Sequence, residues 1–114
     1  MVDTATSVTG DVTVNDDGTW SYTWSWIYIG AQTLGDAHEE YLISRANGSL
    51  VDTKRESDHL AEPGQNYVGG GFGNNKILPG ETRWGLNVIQ GGRVLGTAGG
   101  TFFAAPRESS ANAS

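Results

Sequence analysis

The sequence contains no cysteine, so the chain forms no disulfide and offers no thiol nucleophile. No stretch approaches the roughly 20 consecutive apolar residues that a membrane-spanning helix requires, and residues 1–7 show neither the basic nor the apolar region of a secretory signal. Seven Lys and Arg stand against thirteen Asp and Glu, which gives a formal net charge of −6. With so few and such scattered basic residues, we expect neither nucleic-acid binding nor membrane insertion.

Glycine and aromatic residues, by contrast, are abundant. The 114 residues include seventeen Gly but three Pro, together with four Trp, four Tyr and three Phe. Large aromatic side chains supply much of the area that a single domain of this length has to bury. Frequent glycines are typical of tight turns between short strands. The composition therefore predicts one all-β domain.

The strongest pattern is a run of aromatic residues at every even position from 20 to 28. Alternation with period 2 predicts a strand whose five rings share one face, while small hydroxyl residues occupy the other face. The interior of a β-sandwich is about 10 Å thick and has to be filled, so Trp20, Tyr22 and Trp24 are predicted to be core residues. Trp26 and Tyr28, at the end of the stripe, are predicted to reach the surface.

Several turns separate the remaining strands. Residues 15–18 (Asn-Asp-Asp-Gly) predict a type I turn with a left-handed glycine, Asn47 followed by Gly48 predicts a type I′ hairpin turn, and residues 91–92 (Gly-Gly) predict a two-residue hairpin. Residues 36–44 fit either a short helix or a strand. The glycine run at residues 69–73 predicts an edge strand that merges into a mobile loop.

One segment carries a family resemblance. Residues 78–88 contain Leu, Pro-Gly and Thr, then an aromatic residue and alternating apolar positions. This segment resembles the corner before the sixth strand of fibronectin-III-like and bacterial immunoglobulin-like domains, with Trp84 in place of the usual tyrosine. Over residues 10–104 the resemblance implies an all-β, Ig-like antiparallel β-sandwich of about seven strands. Residues 1–9 are then a polar N-terminal arm, and residues 105–114 are a C-terminal tail.

Candidate catalytic and metal-binding patterns fail on their spacing. In the acidic turn at residues 15–18, an EF-hand would need Asp at Thr13 and Glu at Trp24. His38 and His59 lack the fixed spacing of zinc motifs, and they are interpreted, with the acidic residues near them, as charged loop residues on a solvated face. The sequence therefore predicts no enzyme activity, no metal and no cofactor.

The first functional hypothesis is a structural role in a particle. A separate, acidic, disulfide-free Ig-like domain resembles the capsid decoration proteins of tailed phages in size and domain type. The resemblance implies a virion protein, made in the host cytoplasm without a signal peptide, that binds the major capsid protein or other virion subunits as a homo-oligomer or as lattice-bound copies. The arm residues proposed to contact such a partner are Val2, Thr4, Thr6, Val8, Pro106 and Arg107.

The alternative hypothesis is a carbohydrate-binding module. Exposed aromatic rings stack on sugar faces and also anchor protein interfaces. Such a module uses aromatic residues at one edge of the domain to bind a glycan, including a glycan of the cell surface. The residues assigned to this edge are Trp26, Tyr28, Tyr67 and Phe72.

Overall fold

The computed structural model describes residues 4–105, which form an antiparallel β-sandwich. The strands are β1 (Ala5–Val14), β2 (Trp20–Tyr28), β3 (Leu34–Arg45), β4 (Leu50–Arg55), β5 (His59–Ala61), β6 (Asn66–Phe72), β7 (Gly80–Gln90) and β8 (Arg93–Ala104). One sheet has the order β1-β2-β6, and the other has the order β4-β3-β7-β8 with β5 also paired to β3. The predicted all-β sandwich is confirmed, with eight strands in place of about seven. Over the described residues, no helix is long and apolar enough to span a membrane.

Strand β2 fills the interior as its alternation predicts. Trp20, Tyr22 and Trp24 are buried core residues, which confirms that part of the prediction. Trp26 and Tyr28 are also fully buried, so the prediction that they reach the surface is wrong. Their end of the strand is covered by elements distant in sequence. The ring of Tyr67 lies 5.0 Å from that of Trp26, and β5 extends the opposite sheet beyond β4.

The larger sheet meets these rings with a mainly aliphatic face. Leu86 and Val88 of β7 are fully buried, as their alternation with Trp84 predicts. The Trp84 ring is half-buried and lies 5.8 Å from that of Tyr41 of β3. Tyr41 also joins the two sheets directly, since its hydroxyl donates a hydrogen bond of 2.6 Å to the carbonyl of Thr23 on β2. Burial raises the pKa of this phenol to about 12.

Two of the predicted turns are confirmed. The turn at residues 15–18 is closed by a 2.9 Å hydrogen bond from the Gly18 N–H to the Asn15 carbonyl, and Gly18 has a φ of +90°. Gly91 and Gly92 both have positive φ and join β7 to β8 as a two-residue hairpin. Positive φ at both central residues is the requirement of a type I′ turn.

The hairpin between β3 and β4 is present, but its turn type differs from the prediction. Gly48 has a φ of +90°, whereas Asn47 is not among the described residues with positive φ, so the type I′ assignment is wrong. Hydrogen bonds run from the Gly48 N–H to the Arg45 carbonyl and from the Arg45 N–H to the Ser49 carbonyl, both at 2.9 Å. The register shifts next to this turn. A longer turn with a left-handed glycine and a bulge therefore replaces the tight one.

Residues 36–44 belong to β3, so the helical alternative is wrong. Ala37, Tyr41 and Ile43 alternate on the buried face of this twelve-residue strand. The strand is irregular at its start, where the register shifts between Leu34 and Ala37 and Asp36 has a φ of +57°. Tertiary pairing on both sides, with β7 and with β4 and β5, overrides the local helix-start signal.

The N-terminal boundary also differs from the prediction. Strand β1 begins at Ala5, so residues 5–9, assigned to an arm, are part of the smaller sheet. A register shift between Thr6 and Thr9, with Ser7 at a φ of +52°, marks a bulge that interrupts the alternation. The bulge explains why the sequence does not show a continuous strand pattern here.

Strand β6 is an edge strand, as predicted, and its glycines have a packing role. In its register with β2, Gly69 lies opposite Trp24 and Gly71 opposite Tyr22. A Cβ at Gly71 would lie 2.7 Å from the Tyr22 hydroxyl, and a Cβ at Gly69 or Gly73 would overlap the indole of Trp24 or Trp20. Alternate glycines thus provide the space in which the rings of β2 lie against β6.

Gly73→Ala tests this close packing. The added methyl group would overlap the buried indole of Trp20, so we expect a loss of about 3 kcal/mol in the free energy of unfolding, the upper part of the usual range for overpacked cores. The control is Gly85→Ala, because a Cβ at Gly85 meets no atom within 4 Å, and its expected effect is below about 1 kcal/mol. Urea denaturation measures both, and equal effects would contradict the packing role.

Candidate functional site

Buried carboxylates bind the polar ends of the inward-facing rings. Asp52 of β4 accepts hydrogen bonds from the Trp20 indole N–H at 2.9 Å and from the backbone N–H groups of Asn74 and Asn75 at 2.7 and 2.9 Å. Burial alone raises the pKa of Asp52, but these donors outweigh it and hold the pKa below its usual value of 3.8. Asp52 therefore joins β4, β2 and the segment after β6 as an ionised group.

Glu39 of β3 makes the second such contact and is fully buried. Its position follows from strand alternation, since it lies on the inward face between Ala37 and Tyr41. Its Oε2 atom accepts hydrogen bonds from the Trp26 indole at 2.8 Å and from His59 at 2.6 Å. Its Oε1 atom is buried and has no hydrogen-bond partner among the described residues. Glu39 is thus a carboxylate in the core with half of its hydrogen-bonding capacity used.

Aromatic side chains surround the imidazole of His59 on β5. Its ring centroid is 4.9 Å from that of Tyr67, 6.0 Å from that of Trp26 and 6.5 Å from that of Trp24. Burial lowers the pKa of His59, but the hydrogen bond and charge of Glu39, the Leu60 carbonyl and the charge of Asp58 outweigh burial and raise the pKa above its ordinary 6.5. The aromatic faces also favour a cationic ring. The arrangement favours the protonated form of His59 and ties β5 to the core.

A second histidine lies on the opposite face of the same sheet. His38 approaches Glu40 at 2.9 Å and Asp58 at 3.3 Å, and Arg55 pairs with Asp58 at 3.0 Å. His38 precedes Glu39 in β3, so the two side chains point to opposite faces and His38 does not join His59 in one site. The interpretation of both histidines as solvated loop residues is wrong, because they lie in strands and His38 is buried. Within the described residues, no group of three or more His, Cys, Asp or Glu is arranged to hold a metal ion.

The arm residues named as partner contacts fall into two groups. Val2, Pro106 and Arg107 lie outside the described residues. Thr4, directly before β1, accepts a hydrogen bond of 3.0 Å at its carbonyl from the Ile29 N–H. Thr6 and Val8 are part of β1, and Val8 packs partly buried against the core. These β1 positions belong to the folded domain rather than to an arm.

The four aromatic residues assigned to a glycan-binding edge do not form one exposed platform. Trp26 and Tyr28 are buried, as described above. Tyr67 is half-buried, and its hydroxyl accepts a hydrogen bond of 2.7 Å from the Glu62 N–H. Phe72, in contrast, is 74% exposed at the end of β6. The structure therefore leaves one ring of the four fully available for contact.

Sequence reasoning missed a group of exposed aliphatic and aromatic side chains. Leu50, Leu78 and Phe103, here called the apolar end, are all exposed. Leu50 begins β4, and Arg45, the last residue of β3, donates to the Leu78 carbonyl at 2.8 Å. Phe103 pairs with Glu81 at the start of β7. These three side chains thus lie at the same end of the larger sheet, which the linear sequence does not show.

Comparison with known proteins identifies a shared fold. No protein-family model matches the sequence, and no curated protein matches it. The chain is similar to part of a Bacteroides uniformis beta-glucuronidase (12% identity, TM-score 0.69, 85% of this chain and 13% of that chain). It is also similar to part of the Thermotoga neapolitana beta-glucosidase 3B (11% identity, TM-score 0.58, 91% and 16%). The chain is also similar to the putative ApaA protein of Bordetella pertussis over nearly all of that protein (15% identity, TM-score 0.51, 92% of this chain and 96% of that chain).

These likenesses concern architecture alone, because fold at such low identity does not determine function. The chain spans 13% and 16% of the length of the two glycosidases, so it corresponds to one domain of each. The match to the Bordetella protein covers nearly all of both chains. A β-sandwich of this kind therefore occurs both as part of large enzymes and as a separate small chain.

The hydrogen bond between Trp26 and Glu39 can be tested with a matched pair of substitutions. Trp26→Phe removes a donor to a fully buried carboxylate. Trp24→Phe removes an indole N–H that has no hydrogen-bond partner among the described residues. Both changes reduce core volume, so we expect Trp26→Phe to cost about 1–3 kcal/mol more than Trp24→Phe. Urea unfolding of the two variants measures the difference, and equal losses would show that the bond contributes nothing.

The raised pKa of His59 predicts a pH dependence of stability. Because the folded pKa lies above the ordinary 6.5, the contribution of His59 is fully present below pH 6.5 and is lost as pH rises through the folded pKa. We expect NMR titration of the His59 ring to show a midpoint above 6.5. His59→Phe should flatten the fall in unfolding free energy above that pH. A midpoint below 6.5 would contradict the assigned effect of Glu39.

Proposed function

We propose that this chain is a non-enzymatic subunit of a larger assembly, specifically a decoration protein on the capsid of a tailed phage. The observation that carries the proposal is the apolar end formed by Leu50, Leu78 and Phe103. These large side chains are exposed while a well-filled core lies directly beneath the sheet. Exposed apolar side chains at one end of a sheet are candidates for protein–protein contact.

The position of the apolar end supports attachment to a lattice. Phe103 is the penultimate residue of β8, so Pro106 and Arg107, proposed as partner contacts, follow within a few residues. In this proposal the capsid subunit contacts the exposed side chains of the apolar end. Many identical contacts of this kind on one particle strengthen one another through avidity.

The start of β1 lies at the other end of the domain. A Cβ at Gly96 would lie 3.1 Å from the Cβ of Ala5, which places the start of β1 beside this part of β8. Ala104 is eight residues further along β8, a distance of about 26 Å for an extended strand. Ala5 and Ala104, the first and last strand residues, therefore lie at opposite ends of the sandwich. In the proposed assembly, contacts made at both ends allow one copy to bridge two neighbouring lattice subunits.

The carbohydrate-binding alternative has weaker support. Its four proposed rings do not share an exposed surface, and Phe72 alone among them is largely exposed. The similarity to parts of two glycosidases is a similarity of fold and brings no sugar-binding residue with it. We therefore favour the assembly role.

The first test is whether the chain is part of a virion. Phage particles from a culture that carries the gene are banded in caesium chloride and analysed by mass spectrometry. We expect the chain in the particle band at a fixed copy number relative to the major capsid protein. Its absence from particles, with the protein present in the cell lysate, would overturn the proposal.

The second test concerns the apolar end and uses two leucines of equal exposure. Leu78 is 59% exposed at the apolar end, and Leu60 is 60% exposed on β5. We expect Leu78→Ser to weaken rebinding to particles that lack the chain by about tenfold or more, the effect of one interface contact. Leu60→Ser should bind like the unchanged protein. Equal binding by both variants in a co-sedimentation assay would exclude the apolar end as the contact.

A further inference from the structure

Strand β6 is an open sheet edge without the usual protection. Among the described residues it pairs with β2 alone. The pairing covers all seven residues of Asn66–Phe72 without a register shift. The strand contains no charged residue and no proline. Proteins normally protect a free edge with charges, proline, a bulge or extreme shortness, because its unpaired N–H and C=O groups are a template for another strand.

The other edges of the sandwich show those protections. Strand β4 contains Asp52, Lys54 and Arg55, and β5 has three residues. The edges formed by β1 and β8 approach each other, since a Cβ at Gly96 would lie 2.9 Å from a methyl carbon of Val8 and 3.0 Å from the Ala5 carbonyl. The lack of protection at β6 is therefore a local feature of this strand.

The side chains of β6 fit a second copy of the same strand. Val68 and Phe72 lie on the outer face, where they are 69% and 74% exposed, and Gly70 lies between them. In an antiparallel pair of β6 strands related by a two-fold axis at Gly70, Val68 of each copy lies opposite Phe72 of the other. Cross-strand pairs of an aromatic and a β-branched residue are among the favourable ones.

The backbone supports the same register. The Gly73 N–H bonds to the Trp20 carbonyl, and the Tyr28 N–H bonds to the Gln65 carbonyl. In an antiparallel pair, every second residue of a strand forms backbone hydrogen bonds to its neighbour. The odd-numbered residues of β6 therefore bond to β2. The even-numbered residues direct their N–H and C=O groups to the open edge. Val68, Gly70 and Phe72 are even-numbered, so the proposed pairing uses the groups that are free.

We propose that β6 is a dimerisation edge at which two copies of this chain join their smaller sheets into one continuous six-stranded sheet. Pairing at one strand edge buries little area, which corresponds to a weak, concentration-dependent dimer. Each copy carries a net charge of −6, whereas the edge itself is uncharged. Added salt therefore screens the repulsion between copies and strengthens the dimer. The inference is independent of the proposed capsid function.

Analytical ultracentrifugation tests the edge with two matched substitutions. Val68→Lys introduces a charge at the proposed contact, and Val94→Lys introduces the same charge at a 53% exposed valine of β8. We expect the unchanged protein and Val94→Lys to form dimers at millimolar concentration in high salt. We expect Val68→Lys to remain monomeric with an unchanged circular dichroism spectrum. A monomeric unchanged protein, or equal dimerisation of both variants, would overturn the proposal.

Disulfide trapping tests the register, since the chain has no cysteine of its own. In the double variant Val68→Cys with Phe72→Cys, the two thiols of one copy are four residues apart on an extended strand, beyond the reach of a disulfide. Directly opposite residues of paired strands are within that reach. We expect oxidation to give a covalent dimer linked between positions 68 and 72. Peptide mapping that finds 68–68 or 72–72 links would contradict a two-fold axis at Gly70.

Discussion

The hydrogen bonds between indoles of β2 and buried carboxylates of the larger sheet fix how the two sheets face each other. Trp20 donates to Asp52, and Trp26 donates to Glu39. Hydrophobic burial favours any arrangement that covers the rings, but each indole N–H needs an acceptor in one place. A shift of one sheet over the other would leave a buried carboxylate without its donor, which is costly. Tyr41 adds a bond in the opposite direction, from the larger sheet to the smaller.

The sequence predicts those features that depend on residues close together in the chain. The five-ring stripe of β2 and the paired glycines at 91 and 92 are local patterns, and the structure confirms both. The sequence does not predict that Gly69 packs beneath Trp24, because this contact depends on the register between strands more than forty residues apart. Burial of Trp26 has the same origin, since Tyr67 covers it from a distant strand. Alternation with period 2 identifies the face of the strand on which an aromatic ring lies, but it does not identify the residues that cover that face.

The candidate site shows the same division. The charged neighbours of Glu39 suggest a solvated acid, yet alternation with Ala37 and Tyr41 places it on the inward face because residues 36–44 form a strand. His59 gave no such signal. Its strand has three residues, too few for a periodic pattern, and its aromatic neighbours come from β2 and β6. The position of Glu39 could be predicted, therefore, but its partner could not.

Glu39 is engaged with Trp26 and His59 in the interior, and both proposed contact regions lie on the outer surface. The apolar end lies on the larger sheet, whereas the β6 edge belongs to the smaller one. Contacts on separate sheets do not compete for the same side chains, so a copy bound at its apolar end keeps its β6 edge free for another copy. In the proposed assembly, pairing of neighbouring copies raises the affinity of each for the capsid surface without any new contact to that surface. In that proposed assembly a weak edge is sufficient, because copies attached to one surface are at high local concentration.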